Sequence, residues 1–490
     1  MIRPVFRTPV GIESALRRRL GVISGLALAV SLGGCAVNPV TGKNELSLVS
    51  ESQEIQMGQE GAQSVVATIG LYPDSGLQAY VSRLGQQMAR ASERPQLPWS
   101  FAVVDDPAVN AFALPGGSIF VTRGILTHFN SEAELVSVLG HEIGHVTAKH
   151  SVNQISKAQL AQLGLGVGMI LTPNLEVLHQ VAGSGLQVLF LKFSRDDEAQ
   201  ADELGFVYMV NAGYDPQEAT EMFEMLSRLS SGGRLPEWQS THPNPENRAA
   251  KSSQRVAAMT IDPATLTVGR DVYLRHIDGM VFGANPRQGY FEGDWFYHPD
   301  LKFRMAFPSG WDRQNLSQAV IGVNQAGTAI LQLRLVQADS PRAAGDAFMA
   351  EQGLTQNGSA SAAINGLPAD TRYFSVSTQQ GVLSGVVSHL SYDGNVYQLL
   401  GYGTASAFTS ERTAITDAMF SFRPETDQTV LNVQPARIHL VRVPQRMTVT
   451  EFNRRYPSSI SLDQLALING VESDDSFANG TLVKRVTGGR

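Results

Sequence analysis

Two histidines four residues apart, with a glutamate directly after the first, make up His141-Glu142-Ile143-Gly144-His145. On an α-helix, residues with that spacing sit about 40° apart around the axis, so both imidazoles reach a single metal ion. Glu142 follows His141 by about 100°, close enough to take a proton from water at that metal without being a ligand itself. The chemistry this set suits is metal-assisted hydrolysis. A catalytic zinc usually takes three protein ligands, so one is still to be found.

Several residues compete for that third place. His150 lies five positions beyond His145, about 140° around a continuous helix, and is expected to point away from the site. The metzincin spacing would require His at position 151, which is Ser. Glu198 opens a later helix behind Ser194-Arg195-Asp196-Asp197, with Asp202 one turn further on the same face, and Glu198 is the preferred candidate. Asp202, behind it, is placed to accept the ring N–H of His141 and fix its tautomer.

The elements that must position these residues are readable from periodicity. Ser131-Glu132-Ala133-Glu134 is a capping box, in which Ser131 accepts from the third residue's N–H and Glu134 reaches back, so the metal helix starts there. Leu135, Val136, Val138 and Leu139 give that helix an apolar face. Helical patterning also runs from about Ser50 to Ala91, and again, with interruptions, to about Met259. Phe101 to Val104 and Ser118 to Val121 read as short strands, separated by Pro115-Gly116-Gly117, a turn that needs glycine for positive φ. Either Ser118 to Val121 or Asn110 to Ala113 could be an edge on which an extended peptide adds by backbone pairing, making Asn110, Ala111 and Phe112 candidate substrate-binding residues. Two apolar segments, Leu160 to Leu171 and Val181 to Phe193, are shorter than the ~20 residues a membrane span needs and read as a buried helical hairpin.

From about Gly289 to Pro424 the period becomes two, with Phe303, Met305 and Phe307 alternating, as do Leu331, Leu333 and Leu335. Asp393-Gly394 marks a hairpin, and Pro341 to Gln352 and Ser410 to Phe420 read as helices. The last fifty residues offer a strand at His439 to Val443, a helix around Thr448 to Tyr456, and Leu465 to Gly470.

Val109-Asn110-Ala111-Phe112-Ala113-Leu114-Pro115-Gly116-Gly117, the metal helix, and Ser194-Arg195-x-x-Glu198-x-x-Ala201-Asp202 together resemble the HtpX-type gluzincin family over roughly Asn38 to Met259. That family includes CAAX prenyl endopeptidases and periplasmic BepA-type and LoiP-type proteases. The resemblance implies one zinc ion per chain on His141, His145 and Glu198, with Glu142 as general base. Thr241-His242-Pro243 and Arg248 resemble a later family motif close to the metal, which gives His242 a candidate catalytic or latching role. The tetratricopeptide tail of BepA-type members and the membrane helices of HtpX itself have no counterpart here. Residues 289–425 resemble PsbP-like domains, and residues 437–490 resemble a degenerate LysM module in which Gln445-Arg446 replaces the usual Gly-Asp.

The fold expected is therefore multidomain. A mainly helical α+β gluzincin-like metallopeptidase domain with a small sheet spans 50–265, a linker 266–288, an α+β PsbP-like domain 289–425, and a small LysM-like α/β module 437–490. At 490 residues the chain is long enough for several cores. Its formal net charge of −7 offers no basic surface for nucleic acid.

Residues 1–34 have the layout of an export signal: Arg17-Arg18-Arg19, then an apolar run from Leu20 to Leu32. The run ends at Leu32-Gly33-Gly34-Cys35, which resembles a bacterial lipobox, with Cys35 as the lipidated first residue of the mature chain. Cys35 is the single cysteine, so no disulfide framework is available. Residues 35–49 are polar and turn-rich and read as a lipid-anchored tether. Ala36 after the cysteine resembles lipoproteins sent to the outer membrane. The function expected is a zinc endopeptidase of the bacterial envelope, on the periplasmic face of the outer membrane, cleaving unfolded or misassembled envelope proteins, with peptidoglycan as a candidate partner of the C-terminal module. The competing expectation is a lipid-anchored chaperone or cell-wall-binding protein with a latent site.

Overall fold

The computed structural model describes residues 35–165, 192–231, 238, 242, 245–360, 363–378 and 381–489. The export segment 1–34, residues 166–191 of the expected apolar hairpin, and Thr241 and Pro243 lie outside the described residues. Among the described residues no helix is long and apolar enough to cross a membrane.

The expected tether is fastened to the body of the protein. β1 (Cys35–Val37) pairs antiparallel with β2 (Asn44–Leu46). Between them Asn38, buried, accepts from the amides of Val40 and Thr41 at 2.9 and 3.1 Å. Such a side chain closes its own turn. Its amide then donates to the Ala148 carbonyl at 3.3 Å, just past the metal helix.

The helical stretch expected over 50–91 is two helices, α1 (Glu51–Thr68) and α2 (Ser75–Ala89). Each has its own start signal: Ser50 and Gln53 form a capping box, and Asp74 accepts from the Leu77 amide. β3 (Ser100–Val104), β4 (Ala111–Leu114) and β5 (Ser118–Thr122) form a sheet in the order β3-β5-β4. β5 is thus central and wholly buried, which rules out Ser118 to Val121 as an open edge, whereas among the described residues β4 pairs on one side alone. Gly116 and Gly117 take φ of 77° and 106° in the turn between them.

The metal helix is α3 (Glu132–Thr147), buried at all sixteen residues, so it runs through the core instead of along its surface. Its cap departs from the expected box. Ser131 accepts from the Glu134 amide at 3.0 Å, but the Glu134 carboxylate reaches one residue further, to the Asn130 amide at 2.6 Å. At the other end Arg94, 1% exposed, donates to the Val146 carbonyl at 3.0 Å while paired with Glu54 at 2.7 Å, placing a cation where the helix dipole is negative. α4 (His150–Leu165), α5 (Arg195–Asn211), α6 (Gln217–Ser231) and α7 (Pro245–Ala257) follow.

The stretch read as a linker, 266–288, contains α8 (Arg270–Ile277). Its Tyr273, Leu274 and Ile277 are fully buried in the same core as α3, and the Tyr273 hydroxyl donates to the Leu126 carbonyl at 2.6 Å. Eight residues are too few for a clear periodic signal, yet the apolar stripe is sufficient to dock them.

Beyond α8 come β6 (Tyr290–Glu292), β7 (Trp295–His298) and β8 (Phe303–Ala306), then β9 (Asp312–Asn315), β10 (Val320–Val323) and β11 (Ala329–Val336). After α9 (Pro341–Met349) follow β12 (Leu354–Ser359), β13 (Ala363–Ile364), β14 (Leu367–Thr378), β15 (Gly381–Tyr392) and β16 (Asn395–Thr404). The long antiparallel sheet runs β12-β14-β15-β16-β11-β10-β9, with β13 paired to β14. Asp393 and Gly394, both at positive φ, make the β15–β16 hairpin. α10 (Ala405–Phe420) packs on this sheet through Ile415 and Met419, and β17 (Arg423–Pro424) returns to β8. Phe303, Met305 and Phe307 are buried as their alternation requires, while Leu335, near the end of β11, is 46% exposed.

The chain ends in β18 (Arg437–Arg442), β19 (Met447–Thr448), α11 (Val449–Arg455), α12 (Leu462–Ile468), β20 (Ser476–Phe477) and β21 (Leu482–Thr487). β18 pairs with β21 around two helices and a small core of their own. This unit is docked on the first core: Lys484, wholly buried, donates to the carbonyls of Thr127 and Phe129 at 3.1 and 2.6 Å.

Candidate metal centre

The geometry begins with missing side chains. α3 and α5 cross where Gly140 and Gly144 face Ala201 and Gly205. A Cβ on Gly205 would lie 2.9 Å from the backbone nitrogen of His141, and one on Gly144 would lie 3.1 Å from Ala201 Cα. Only helices without those carbons approach so closely. That approach brings Glu198 and Asp202, one turn apart on α5, up against His141 and His145.

The Nε2 atoms of His141 and His145 are 3.0 Å apart. Glu198 Oε1 lies 3.4 Å from His145 Nε2, and Oε2 lies 3.7 Å from His141 Nε2. A tetrahedral ion bound at about 2.0–2.1 Å holds its ligand atoms roughly 3.3–3.4 Å apart, so these three residues fit a small divalent metal. Glu198 Oε2 is buried without a hydrogen-bond partner among the described residues, as an unsatisfied donor to a cation would be, and so is Glu142 Oε1, as a base awaiting a water's proton would be. Arg248 Nη1 sits 3.0 Å from that Glu198 oxygen but is not aligned as a hydrogen bond. His242 completes a four-residue cluster, its Nδ1 2.8 Å from Glu198 Oε1 and 3.3 Å from His141 Nε2. His141, Glu142, His145, Glu198 and His242 are each 3% exposed or less.

Around this cluster the structure places Asp202 Oδ1 3.0 Å from His141 Nδ1. Arg248 grips the same carboxylate with two bonds, 2.6 and 2.9 Å, and lies over the rings of Phe223 and Trp238. The Arg248 charge outweighs burial and holds Asp202 down to about 2. Burial and the nearby Arg248 charge push His141 down to about 3, keeping its ring neutral, the form that binds a metal. Glu198 stays well below the usual carboxylate range, because His242, His145 and Arg248 overcome its burial.

His150 is where the expectation fails. α3 ends at Thr147, Lys149 takes a φ of 59°, and the turn swings His150 back so that its Nδ1 lies 2.9 Å from His145 Nδ1. A 140° projection assumed one unbroken helix. Three further groups had no sequence signal: Trp238 stacks on His242 at 4.3 Å between ring centroids, Phe193 stacks on His145 at 4.0 Å, and Gln200 bonds His150.

Glu142 lies beside the cluster, its Oε1 3.7 Å from His242 Nε2. Burial, opposed by His145 and helped by the Glu198 carboxylate, pushes its carboxyl up to about 7. Strand β4 packs against the metal helix, and the backbone of its Ala113 draws that carboxyl part of the way down again. Of the candidate substrate-binding residues, Asn110 and Ala111 are buried and Phe112 is half-buried. A group titrating near neutrality can both accept and return a proton.

Residues 75–256 match Peptidase family M48. The mitochondrial metalloendopeptidase OMA1 of Arabidopsis thaliana is 36% identical over 187 residues, 38% of this chain and 36% of that protein. The beta-barrel assembly-enhancing protease of Escherichia coli is 28% identical over 245 residues, 48% of this chain and 50% of its own length. The chain thus spans half or less of the length of these two relatives. Among solved structures, the solution structure of cyanobacterial PsbP from Synechocystis sp. PCC 6803 covers 28% of this chain and 95% of that one, at 14% identity and a TM-score of 0.23.

Proposed function

We propose that this chain, whose residues 75–256 match peptidase family M48, is a zinc metalloendopeptidase of the bacterial cell envelope that cleaves misfolded or unassembled proteins. The observation that carries this reading is the convergence of His141, His145 and Glu198 at ligand spacing, with a buried Glu142 between them and the edge strand β4.

Zinc held by those three residues supplies Lewis-acid polarisation of the scissile carbonyl and of water. Glu142 takes the proton from the attacking water and returns it to the leaving amine, for which a carboxyl near 7 is suited. Asp202 accepts the Nδ1–H of His141 and so points its Nε2 inward; Arg248 holds Asp202 and screens Glu198. An extended peptide pairs with the side of β4 left unpaired among the described residues, at Asn110, Ala111 and Phe112, a contact that reads unfolded backbone more than particular side chains. His242 either stabilises the tetrahedral intermediate or occupies the water's place as a latch.

A lipid on Cys35 places the protein on the periplasmic face of the outer membrane. The name of the Escherichia coli relative, a beta-barrel assembly-enhancing protease, supports substrates among envelope proteins. The antiparallel sheet with α9 and α10 supports reading residues 289–425 as a PsbP-like domain, and the β18-β19-α11-α12-β20-β21 order supports a LysM-like module that binds peptidoglycan. The second reading is a chaperone with a latent site. It is favoured by the closeness of His242 to Glu198 and by the burial of the whole cluster. Zinc content and casein cleavage by the purified protein, set beside Glu142→Gln, decide between them. The enzyme reading expects about one zinc per chain in both proteins and at least a hundredfold less cleavage by the variant. Equal cleavage by the two would refute it.

A further inference from the structure

His145 Nε2 faces the other ligands, so its lone pair must be there and its proton on Nδ1. The neighbour of that Nδ1 is the Nδ1 of His150, at 2.9 Å. Between two ring nitrogens one proton is shared, and two arrangements are open. In one, His145 donates and its Nε2 is free for a metal. In the other, His150 donates, and His145 carries its proton on Nε2, where it cannot be a ligand.

The far side of His150 selects between them. Its Nε2 lies 3.0 Å from Gln200 Oε1, a carbonyl oxygen that can only accept. The neutral ring therefore carries its proton on Nε2 and offers Nδ1 as an acceptor. Asp197 Oδ1, 3.8 Å from the same Nε2, is beyond hydrogen-bond range, and the carboxylate is held by its other oxygen, Oδ2, which accepts from the Ser194 amide in the cap of α5. The order is then fixed from the outside inward: Gln200 orients His150, and His150 orients His145.

We propose that His150, backed by Gln200, is a positioning residue that holds His145 in its metal-binding tautomer. This rests on the reading of His145 as a zinc ligand. Charge explains why the relay is neutral. Glu142, Glu198 and Asp202 bring three negative charges to the centre when ionised, against Arg248 and a divalent ion. A second outer carboxylate, behind His145 as Asp202 stands behind His141, would leave the buried centre with an uncompensated charge. An imidazole and an amide do the same orienting work with none.

Zinc affinity, measured by competition with a chromogenic chelator, tests this on the full-length protein. His150→Phe keeps a ring but offers no acceptor, and is expected to weaken zinc binding about ten- to a hundredfold. His150→Gln can present its side-chain oxygen to the same N–H, and is expected to stay within about threefold of the original protein. A purely structural role predicts instead that both variants lose affinity in step with the melting temperature of the metal-free protein. Gln200→Leu supplies the same test if His150→Phe does not fold, with a loss of about tenfold expected. Unchanged affinity in the folded acceptor-less variant overturns the proposal. If His145→Ala also leaves zinc binding intact, the ligand assignment itself has failed.

Discussion

Gly205→Ala reverses the usual sign of a helical glycine substitution. In the interior of a helix, alanine is ordinarily better than glycine by about 0.5–1 kcal/mol. At Gly205 the added carbon meets the His141 nitrogen at 2.9 Å, the Gly140 carbonyl carbon at 3.1 Å and His141 Cα at 3.2 Å. All three are backbone atoms of α3, so no side chain can rotate away and the helices must part by a few tenths of an ångström. Overpacking of this kind costs about 1–3 kcal/mol, which exceeds the propensity gain and leaves a net loss of about 1–2 kcal/mol. For a domain of this size that is a melting temperature about 2–8 °C lower. The same movement carries Glu198 away from His141 and His145, so zinc affinity is expected to fall by about tenfold or more. Differential scanning calorimetry of the metal-free protein and chelator competition measure the two effects separately. A rise in melting temperature with unchanged affinity would refute the close-contact argument.

Glu198→Gln is expected to lose most of its zinc by elemental analysis while keeping its fold, and full retention would place the third ligand elsewhere. His242→Ala separates two roles by peptidase activity: a fall indicates stabilisation of the intermediate, and a rise indicates a latch. Lys484→Met removes the donor of two buried carbonyls, and a loss of about 1–3 kcal/mol in urea unfolding is expected; no change would mean the contact is not formed in solution. Cys35→Ser is expected to move the protein from the membrane to the soluble fraction, with mass spectrometry of the original protein checking for the acyl group.

The parts of the centre that a local rule governs were legible in the sequence. His141, Glu142 and His145 lie within one turn and a cap, so helical geometry alone brings them together. Asp202 follows Glu198 by the same rule. His150 was misplaced because one residue, Lys149, adopts a left-handed φ that nothing in its chemistry announces. Trp238 and Phe193 reach the histidines through tertiary packing, for which a single sequence carries no period. The docking of the last module was also invisible: Lys484 sits in a strand where a lysine would be read as solvent-facing, and it is wholly buried.

The hairpin at the start of the described chain bears on how such an enzyme would search for its substrates. β1 begins at Cys35 itself, and three residues later Asn38 is bonded to the end of the metal helix. Were Cys35 lipidated as proposed, Ala36 and Val37 alone would separate the anchor from this contact. The centre would be confined to a layer about one domain thick above the bilayer, meeting chains stalled at the membrane by lateral diffusion at high local concentration. Proteins passing through the bulk of the compartment would be out of its reach. Lengthening the segment before Asn38 with a flexible insert would widen that layer and dilute the same encounters.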